Sequence, residues 1–522
     1  MSKPVLRRVK RLAVALTIVG GAVVLLHALL LRWVHHTLRE RINAAAAASG
    51  SAWIEPDGST LSVSLLTGDI RIVDLKWERR GEPQGSVPAL SGTLDSLVVQ
   101  GLSYHHLFMD GVVDMDRLMI HGTDLDVQLS TDTATRSKDS QFHGLRAAEL
   151  NIVLLRSAVL LPESISVGSQ EFKLEGRSFE FGDTVVRAEA LEALLVGSLV
   201  SPFADSTLSV QRITLSERGT RITIDGIDFG PADVRQLAER VTLERDVIAG
   251  TVDRITIAGI DLGSCRRGVA RARSIRISSA DLQVARDKHR PDPPFKHKPL
   301  PARLLRALPL NTGFDSVLVD GMDVSYFERV EPLRGYAHIP FDSIAAVVMN
   351  LRHVAGDTLL VRATARAFDR TPVQLELRGA VGDTTDRIMV EAMVGDLRFA
   401  RLNDVLAPLT GVATPEGRLD TLILRMTGDD ARATAKCWMR YDGLRVDRRG
   451  GKENVLDPVL NSIMNAVVKG GRTGEKDGEG WTSYSWDRRQ DRSLFNFLWA
   501  GVREGAKQSM LPQVVLDRTT KR

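Results

Sequence analysis

Five aspartates recur two residues after a glycine or serine: Asp124, Asp228, Asp261, Asp281 and Asp323. Carboxylates build calcium loops and acid–base pairs, so a repeated Asp invites both readings. A calcium loop packs several acids into one short segment, or lines them up in a glycine-rich nonapeptide array. Neither pattern is present. His105, His106 and His121 are imaginable metal ligands, yet neighbouring residues of a strand point to opposite faces, and no acid or thiol completes a familiar set. Cys265 and Cys437 show neither C-x-x-C nor Cys/His metal spacing; one bridge or two free thiols both remain open. No G-x-S-x-G elbow, H-E-x-x-H helix, phosphate-binding G-x-x-x-x-G-K-[ST] loop or dinucleotide G-x-G-x-x-G is found. The expectation is a protein that is not an enzyme and takes no cofactor and no metal. The repeated Asp is then structural, set on a wet strand face where it accepts from nearby backbone N–H groups.

What positions these aspartates is a repeat. In FDSVLVDGMDVSYF, Phe314 to Phe327, an apolar residue at position 0 is followed by apolar residues at 3 and 5, Gly at 7, apolar at 8, Asp at 9 and apolar at 10. Variants start at Leu94, Met115, Gly219, Val252 and Ala272, with partial echoes at Phe341 and Leu419. Positions 3 and 5 share a face of a pleated strand, while 8 and 10 have the opposite parity. One inserted residue restores the phase, and Gly tolerates the positive φ that a bulge often needs. Each copy therefore reads as one long strand, bulged at Gly, with one continuous apolar face. Starts at 94 and 115 are 21 apart, 252 and 272 are 20 apart, and 272 and 314 are 42 apart, a stacked but irregular array.

The ends differ from the repeat. Five bases and no acid precede Leu12 to Leu31, twenty residues without a formal charge apart from any on His27. That reads as a transmembrane helix with its N-terminus in the cytoplasm and the bulk of the chain outside. A cleaved signal peptide competes, but the small residues Ala44 to Ala48 lie far beyond the apolar run. From Leu61 alternation begins a sheet, with Thr67-Gly68-Asp69 as a hairpin-like turn. Polar residues break it at Thr131 to Gln141, and prolines and bases break it at Arg286 to Pro301, a linker or a loop between two stretches of one sheet. Near the C-terminus the period becomes helical, at Val455 to Val468 and again at Leu494 to Ala506. These helices would cap the sheet end, or Phe495, Leu498 and Trp499 would contact a membrane or partner.

The expected organisation is therefore 1–49 basic tip, anchor and helical extension; 50–285 repeat sheet, first part; 286–310 proline-rich basic linker; 311–450 repeat sheet, second part; 451–522 helical cap. The fold class is mainly β, an elongated, curved repeat sheet forming a groove. Apolar content of 43% and a net charge of +4 argue for no particular partner. Arg266 to Arg276 reads as an alternating strand without interleaved aromatics, so no nucleic acid is expected.

The order of anchor, bulged-strand repeat and the closing pieces YDGLRV at Tyr441, DPVLNSIMNAVV at Asp457 and DRSLFNFLWAGVREGAK at Asp491 resembles the AsmA-like proteins of double-membraned bacteria. That resemblance covers nearly the whole chain. It implies an inner-membrane-anchored, periplasmic, taco-shaped sheet with a hydrophobic groove, similar to bridge-like lipid transfer proteins, with roles in outer-membrane lipid homeostasis or assembly and no catalytic residues. An apolar sheet face must fold over, pack on another layer or bind something apolar. The groove candidates are the face-sharing pairs Leu97 with Val99, Ile255 with Ile257, and Val317 with Val319, and the expected ligand is a phospholipid or other acyl lipid. The alternative is a non-transporting envelope scaffold or outer-membrane assembly factor whose groove is filled by its own side chains.

Overall fold

The computed structural model describes residues 51–510 apart from 55–60, 65–66, 80–88, 111, 129–143, 156, 161–165, 183–185, 198, 201–206, 217, 262–270, 307–312, 331–334, 353–356, 411, 449–470 and 473–480. The expected anchor, the helix at Val455 to Val468 and Cys265 lie outside the described residues. Among those described no helix is long and apolar enough to cross a membrane. The protein is mainly β and divides into two compact units, one of residues up to 202 with 210–219, the other of 203–209 with 220 onward. The division therefore falls before β14, and the proline-rich stretch 286–310 lies inside the second unit.

In the first unit β1 (Ser51–Ile54) and β2 (Ser62–Ser64) both pair with β3 (Asp69–Arg79), and the order continues antiparallel to β4 (Ala89–Gln100) and β5 (Val112–Gln128). The turn at Thr67 and Gly68 joins β2 to β3 as expected, Gly68 supplying a φ of 71°. β5 takes β6 (Gly144–Leu154) and β7 (Ser157–Leu160) in parallel. β8 (Ser166–Ser169) and β9 (Glu171–Gly182) continue these two, followed by β10 (Val186–Arg187), β11 (Ala190–Gly197), β12 (Leu199–Val200) and β13 (Thr207–Ser216).

The second unit runs β14 (Arg221–Gly230), α1 (Val234–Ala238), β15 (Asp246–Ala258), β16 (Arg271–Asp287), α2 (Pro301–Arg306), β17 (Gly313–Arg329), β18 (Ala337–Arg352), β19 (Thr358–Ala367), β20 (Thr371–Ala380) and β21 (Ile388–Arg398). Then come α3 (Asn403–Thr410), β22 (Val412–Gly428), β23 (Arg432–Arg448), β24 (Gly471–Arg472), β25 (Trp481–Asp487) and α4 (Leu494–Met510). Consecutive strands pair antiparallel from β14 to β23 except β16 with β17, which are parallel, and β23 carries both β24 and β25. Parallel neighbours need a connection that returns along the strand. The two breaks in the repeat, 129–143 and 288–312, fall in sequence between β5 and β6 and between β16 and β17, the consecutive strands that pair in parallel.

The repeat sets the register. β16 and β17 pair at a constant offset of 42 residues, the spacing between their two copies of the template. Gly226, Ser279 and Gly321 have φ of 61°, 50° and 71°. Each sits where the ladder skips one pair, between Asp225 and Ile227, Ser278 and Ala280, and Asp320 and Met322. These positions lie side by side, forming a crease across β14 to β17, and Ser343 (φ 51°) extends it where the β17–β18 register shifts. The expected phase repair is present in these strands.

Two copies depart from the expectation. In those starting at Leu94 and Val252, Gly101 (φ 67°) and Gly259 (φ 71°) stand just past the ends of β4 and β15 and turn the chain instead of bulging it. Those strands run antiparallel to their template-bearing neighbours, so position 1, Asp95 or Asp253, falls beside the crease. In β5 the glycine is required for space: a Cβ on Gly122 would stand 2.7 Å from Leu94 and 2.9 Å from Leu154.

Candidate functional site

Cross-strand pairs extend the apolar positions of single strands into rows. In the second unit one row runs Ile222, Ile257, Ile275, Val317, Val348, Val361, Leu377, Val390, Met426, Ala435 and Tyr484, crossing every strand from β14 to β23 and ending on β25. A second row, one pleat over, begins Ile224, Ile255, Ile277, Val319, Ala346 and Ala363 and reaches Leu424 and Cys437. In the first unit Ile72, Leu97, Ile120, Ile152, Leu174, Ala193 and Leu215 make the equivalent line, with Ile70, Val99, Leu118 and Leu150 beside it. All six groove candidates thus lie on such rows, each pair on one face.

The cover on these rows is uneven. Over β22, β23 and β25 lies α4, with Phe497 (3% exposed), Leu494, Leu498, Val502 and Ala506 packed on Val390, Leu424, Met426, Ala435 and Cys437. Gly501 and Gly505 permit the approach: a Cβ on Gly505 would stand 2.9 Å from the Cys437 Cβ. Tyr484 also donates its hydroxyl to the Gly501 carbonyl at 2.8 Å. Toward β14 the same face is only half-buried. Ile222, Ile224, Ile255, Ile257, Ile275, Ile277, Val317 and Val319 are all half-buried, and none belongs to the second unit's two buried clusters. In the first unit Ile72, Leu75, Leu94 and Leu154 reach 3–7% exposure packed on side chains of the same sheet, with Leu97 against them and Val99 in an adjoining cluster.

The opposite face is mixed over β14 to β18 and becomes a charged ladder from β19 to β23. Thr223, Thr256, Arg276, Leu318, Val347, Arg362, Glu376, Glu391, Arg425 and Lys436 follow one another across the strands. Arg362 meets Glu376 at 2.8 Å, Arg425 meets Glu391 at 3.1 Å, and Arg254 meets Asp225 at 2.6 Å. Bonds from Arg362 and Arg378 hold the Glu376 carboxyl below its ordinary range. Exposed pairs of this kind contribute little stability; they hold their side chains in water. Val319 and Ala346 also border a hollow of about 700 Å³ edged by Asp320, Arg362 and Glu376.

Phe495 and Trp499 are 47% and 45% exposed on α4, whereas Leu498 is turned inward against the core, so the three do not form one outward stripe. Phe495 stands 6.0 Å from the ring of Tyr326 on β17. Of the repeated aspartates, Asp323 accepts from the Ser343 N–H at 2.7 Å, the structural use expected of it, and this bond bridges the crease to β18. His106 lies in the turn His106–Asp110 with Nδ1 2.8 Å from Asp110; His105 is beside it, and His121 is exposed on β5. Cys437 is fully buried under α4, and burial pushes its thiol up to about 11, with Ser509 acting weakly the other way. Its position was legible as one of Ala433, Ala435, Cys437, Met439 and Tyr441, alternate residues of β23 that all face the core. No family model matches the chain, and no curated protein matches it.

Proposed function

We propose that this chain shelters acyl chains of phospholipid on the apolar face of its sheet, as an anchored envelope protein of the AsmA-like kind that holds or moves lipid between inner and outer membranes. The observation that carries this reading is the unbroken apolar row from Ile222 to Tyr484, of which the β14–β17 portion stands outside the buried clusters. An acyl chain of about sixteen carbons needs shelter worth on the order of 13 kcal/mol at ~0.8 kcal/mol per methylene. Ile and Val rows without hydrogen-bonding groups offer that shelter without selecting a headgroup. No residue is asked to perform a covalent step.

The test is photocrosslinking in the full chain, with a photoreactive amino acid replacing Ile257 or Val317 on the row, or Thr256 or Arg362 on the ladder. Acyl lipid should be captured from the row positions and not from the ladder. Capture from neither, or equally from both, would sink the proposal.

A second reading is a scaffold, favoured by α4, which already occupies the same face over β22 to β25. Val319→Glu separates the two. Under the lipid reading the protein folds and loses captured lipid; under the scaffold reading it unfolds, with no separate loss of transport.

A further inference from the structure

The connection from β16 to β17 is built as a fixed display. Lys298 donates its backbone N–H to the Gln490 carbonyl at 2.8 Å, and its own carbonyl accepts from Arg488. His297 meets Asp430 at 2.8 Å, and Arg492 binds Asp292 at 2.7 Å. Leu300 is fully buried, and Arg306 in α2 grips the Val381 and Asp383 carbonyls and the Asp386 carboxylate at 2.7, 2.9 and 2.7 Å. A segment held at so many points presents its remaining side chains by construction. Those are Phe295, 72% exposed and the most exposed large apolar side chain among the second unit's described residues, and Leu304, 53% exposed.

Around these two are bases. Lys296 and Lys298 are exposed and enter no ion pair among the described residues, and Arg303 is 52% exposed with a long contact of 3.5 Å to Asp430. His297 and Arg303 both reach Asp430, so the backbone next to Phe295 and the backbone next to Leu304 are gathered at one acid. Between Lys288 and Arg306 the acid count is one, Asp292, which Arg492 already engages. Bulky apolar tips amid two exposed ammonium groups and a half-exposed guanidinium match the headgroup layer of an anionic bilayer, where rings enter the interface and bases meet phosphate. The prolines 291, 293, 294, 299 and 301 lower the entropy lost on docking.

We infer that this connection is a docking surface for an anionic lipid bilayer, with Phe295 and Leu304 entering the headgroup layer and Lys296, Lys298 and Arg303 facing lipid phosphate. This goes beyond the lipid-sheltering reading and does not depend on it, since contact with a bilayer surface at 295 is measured separately from capture at 257.

The experiment uses the full chain in phosphatidylcholine nanodiscs, carrying Cys265→Ser and a polarity-sensitive fluorophore on Phe295→Cys or Leu304→Cys; Cys437 is fully buried. Phosphatidylglycerol vesicles should blue-shift both labels, phosphatidylcholine vesicles neither, and a label on Ser483→Cys on the ladder face should stay silent. With the label at 304, Lys296→Glu/Lys298→Glu should weaken vesicle partitioning at least about 30-fold, Lys296→Gln/Lys298→Gln less, and salt should mimic both. The inference is overturned by no shift at 295 and 304, by an equal shift at 483, by charge reversal without effect in protein of unchanged melting temperature, or by an equal shift from RNA or polyglutamate without vesicles.

Discussion

Ser279 holds a φ of 50° in the middle of β16, level with Gly226 and Gly321 on the neighbouring template strands. A left-handed conformation costs an L-residue roughly 1–2 kcal/mol, partly offset by the unfolded-state freedom that Gly adds. Ser279→Gly should therefore leave stability unchanged or raise it by up to about 1 kcal/mol in urea denaturation. Gly321→Ala should lower it by about 1 kcal/mol, because no heavy atom lies within 4 Å of the added Cβ and only the backbone objects. Equal losses from both changes would mean that the crease is not a φ effect. The glycine of the template was legible as a phase-shifting residue because parity on either side of it demands one. What the pattern could not reveal is that antiparallel copies place a different residue on the crease. Parity is a property of one strand, and the crease is a property of the pairing. At Gly505 the constraint is contact rather than φ, and nothing in a helical period of apolar residues announces it. A Cβ there meets the Cys437 Cβ at 2.9 Å, so Gly505→Ala should cost about 1–3 kcal/mol by lifting α4.

Among elements, the least legible was the proline-rich connection. Its composition excludes a central strand, which is correct, but composition does not distinguish a free linker from a strap held by buried ions. That distinction lies in partners far along the chain: Asp430 and Arg488 for His297 and Lys298, Asp386 for Arg306. At the start of this connection Asp287 is fully buried. Burial alone would push its carboxyl up, yet bonds from Arg329 at 2.7 Å, the His289 N–H at 3.0 Å and Arg290 at 3.2 Å outweigh it and hold the carboxyl below its ordinary range. A carboxyl depressed in the folded state contributes stability that is present above its unfolded value, about 4, and lost as pH falls through the lower folded value. Acid titration of the wild type should therefore show a stability loss beginning near pH 4 that Asp287→Asn lacks, while the variant is less stable at pH 7 by roughly 3–5 kcal/mol. Glu244 runs the other way. Burial first, and then its hydrogen bond with Asp292, raise its carboxyl against the pull of Arg492 and Arg286, so the Asp287 contribution must be read as wild type minus variant. Parallel acid limbs in the two proteins would refute the assignment. The helix α4 was legible from its period as an amphipathic element, but its sense was not. Leu498 turns to the core and Phe495 and Trp499 to solvent, because α4 meets the sheet along its glycine side.

At the scale of the molecule, stability is distributed unevenly along continuous rows, and that unevenness has a consequence for function. The rows were legible in outline, since the repeat predicts one apolar face per strand. Their cover was not, because no local pattern says that α4 lies over the rows of the last strands while α1 packs only at the other ends of β15 and β16, on Val247 and Ala285, and leaves Ile255, Ile257, Ile275 and Ile277 outside its cluster. Leu424, 1% exposed beneath α4, and Ile257, half-buried on β15, are the same kind of residue in the same kind of strand. Leu424→Ala should cost about 3–5 kcal/mol and Ile257→Ala about 1 kcal/mol, because only the first opens a closed cavity. Hydrogen exchange on the full chain should show the same gradient, with amides of Ile388–Arg398 and Arg432–Met439 slowest and those of Arg221–Gly230 and Asp246–Ala258 faster. If the proposed lipid sheltering holds, phospholipid should slow exchange in β15 to β17 toward that of β22 and leave β22 unchanged, since a ligand protects what it newly covers. Uniform exchange without lipid would contradict the uneven cover. A clear gradient that lipid does not alter would leave the fold standing and remove the lipid reading, directing attention to α4 as the occupant that this sheet was built to hold.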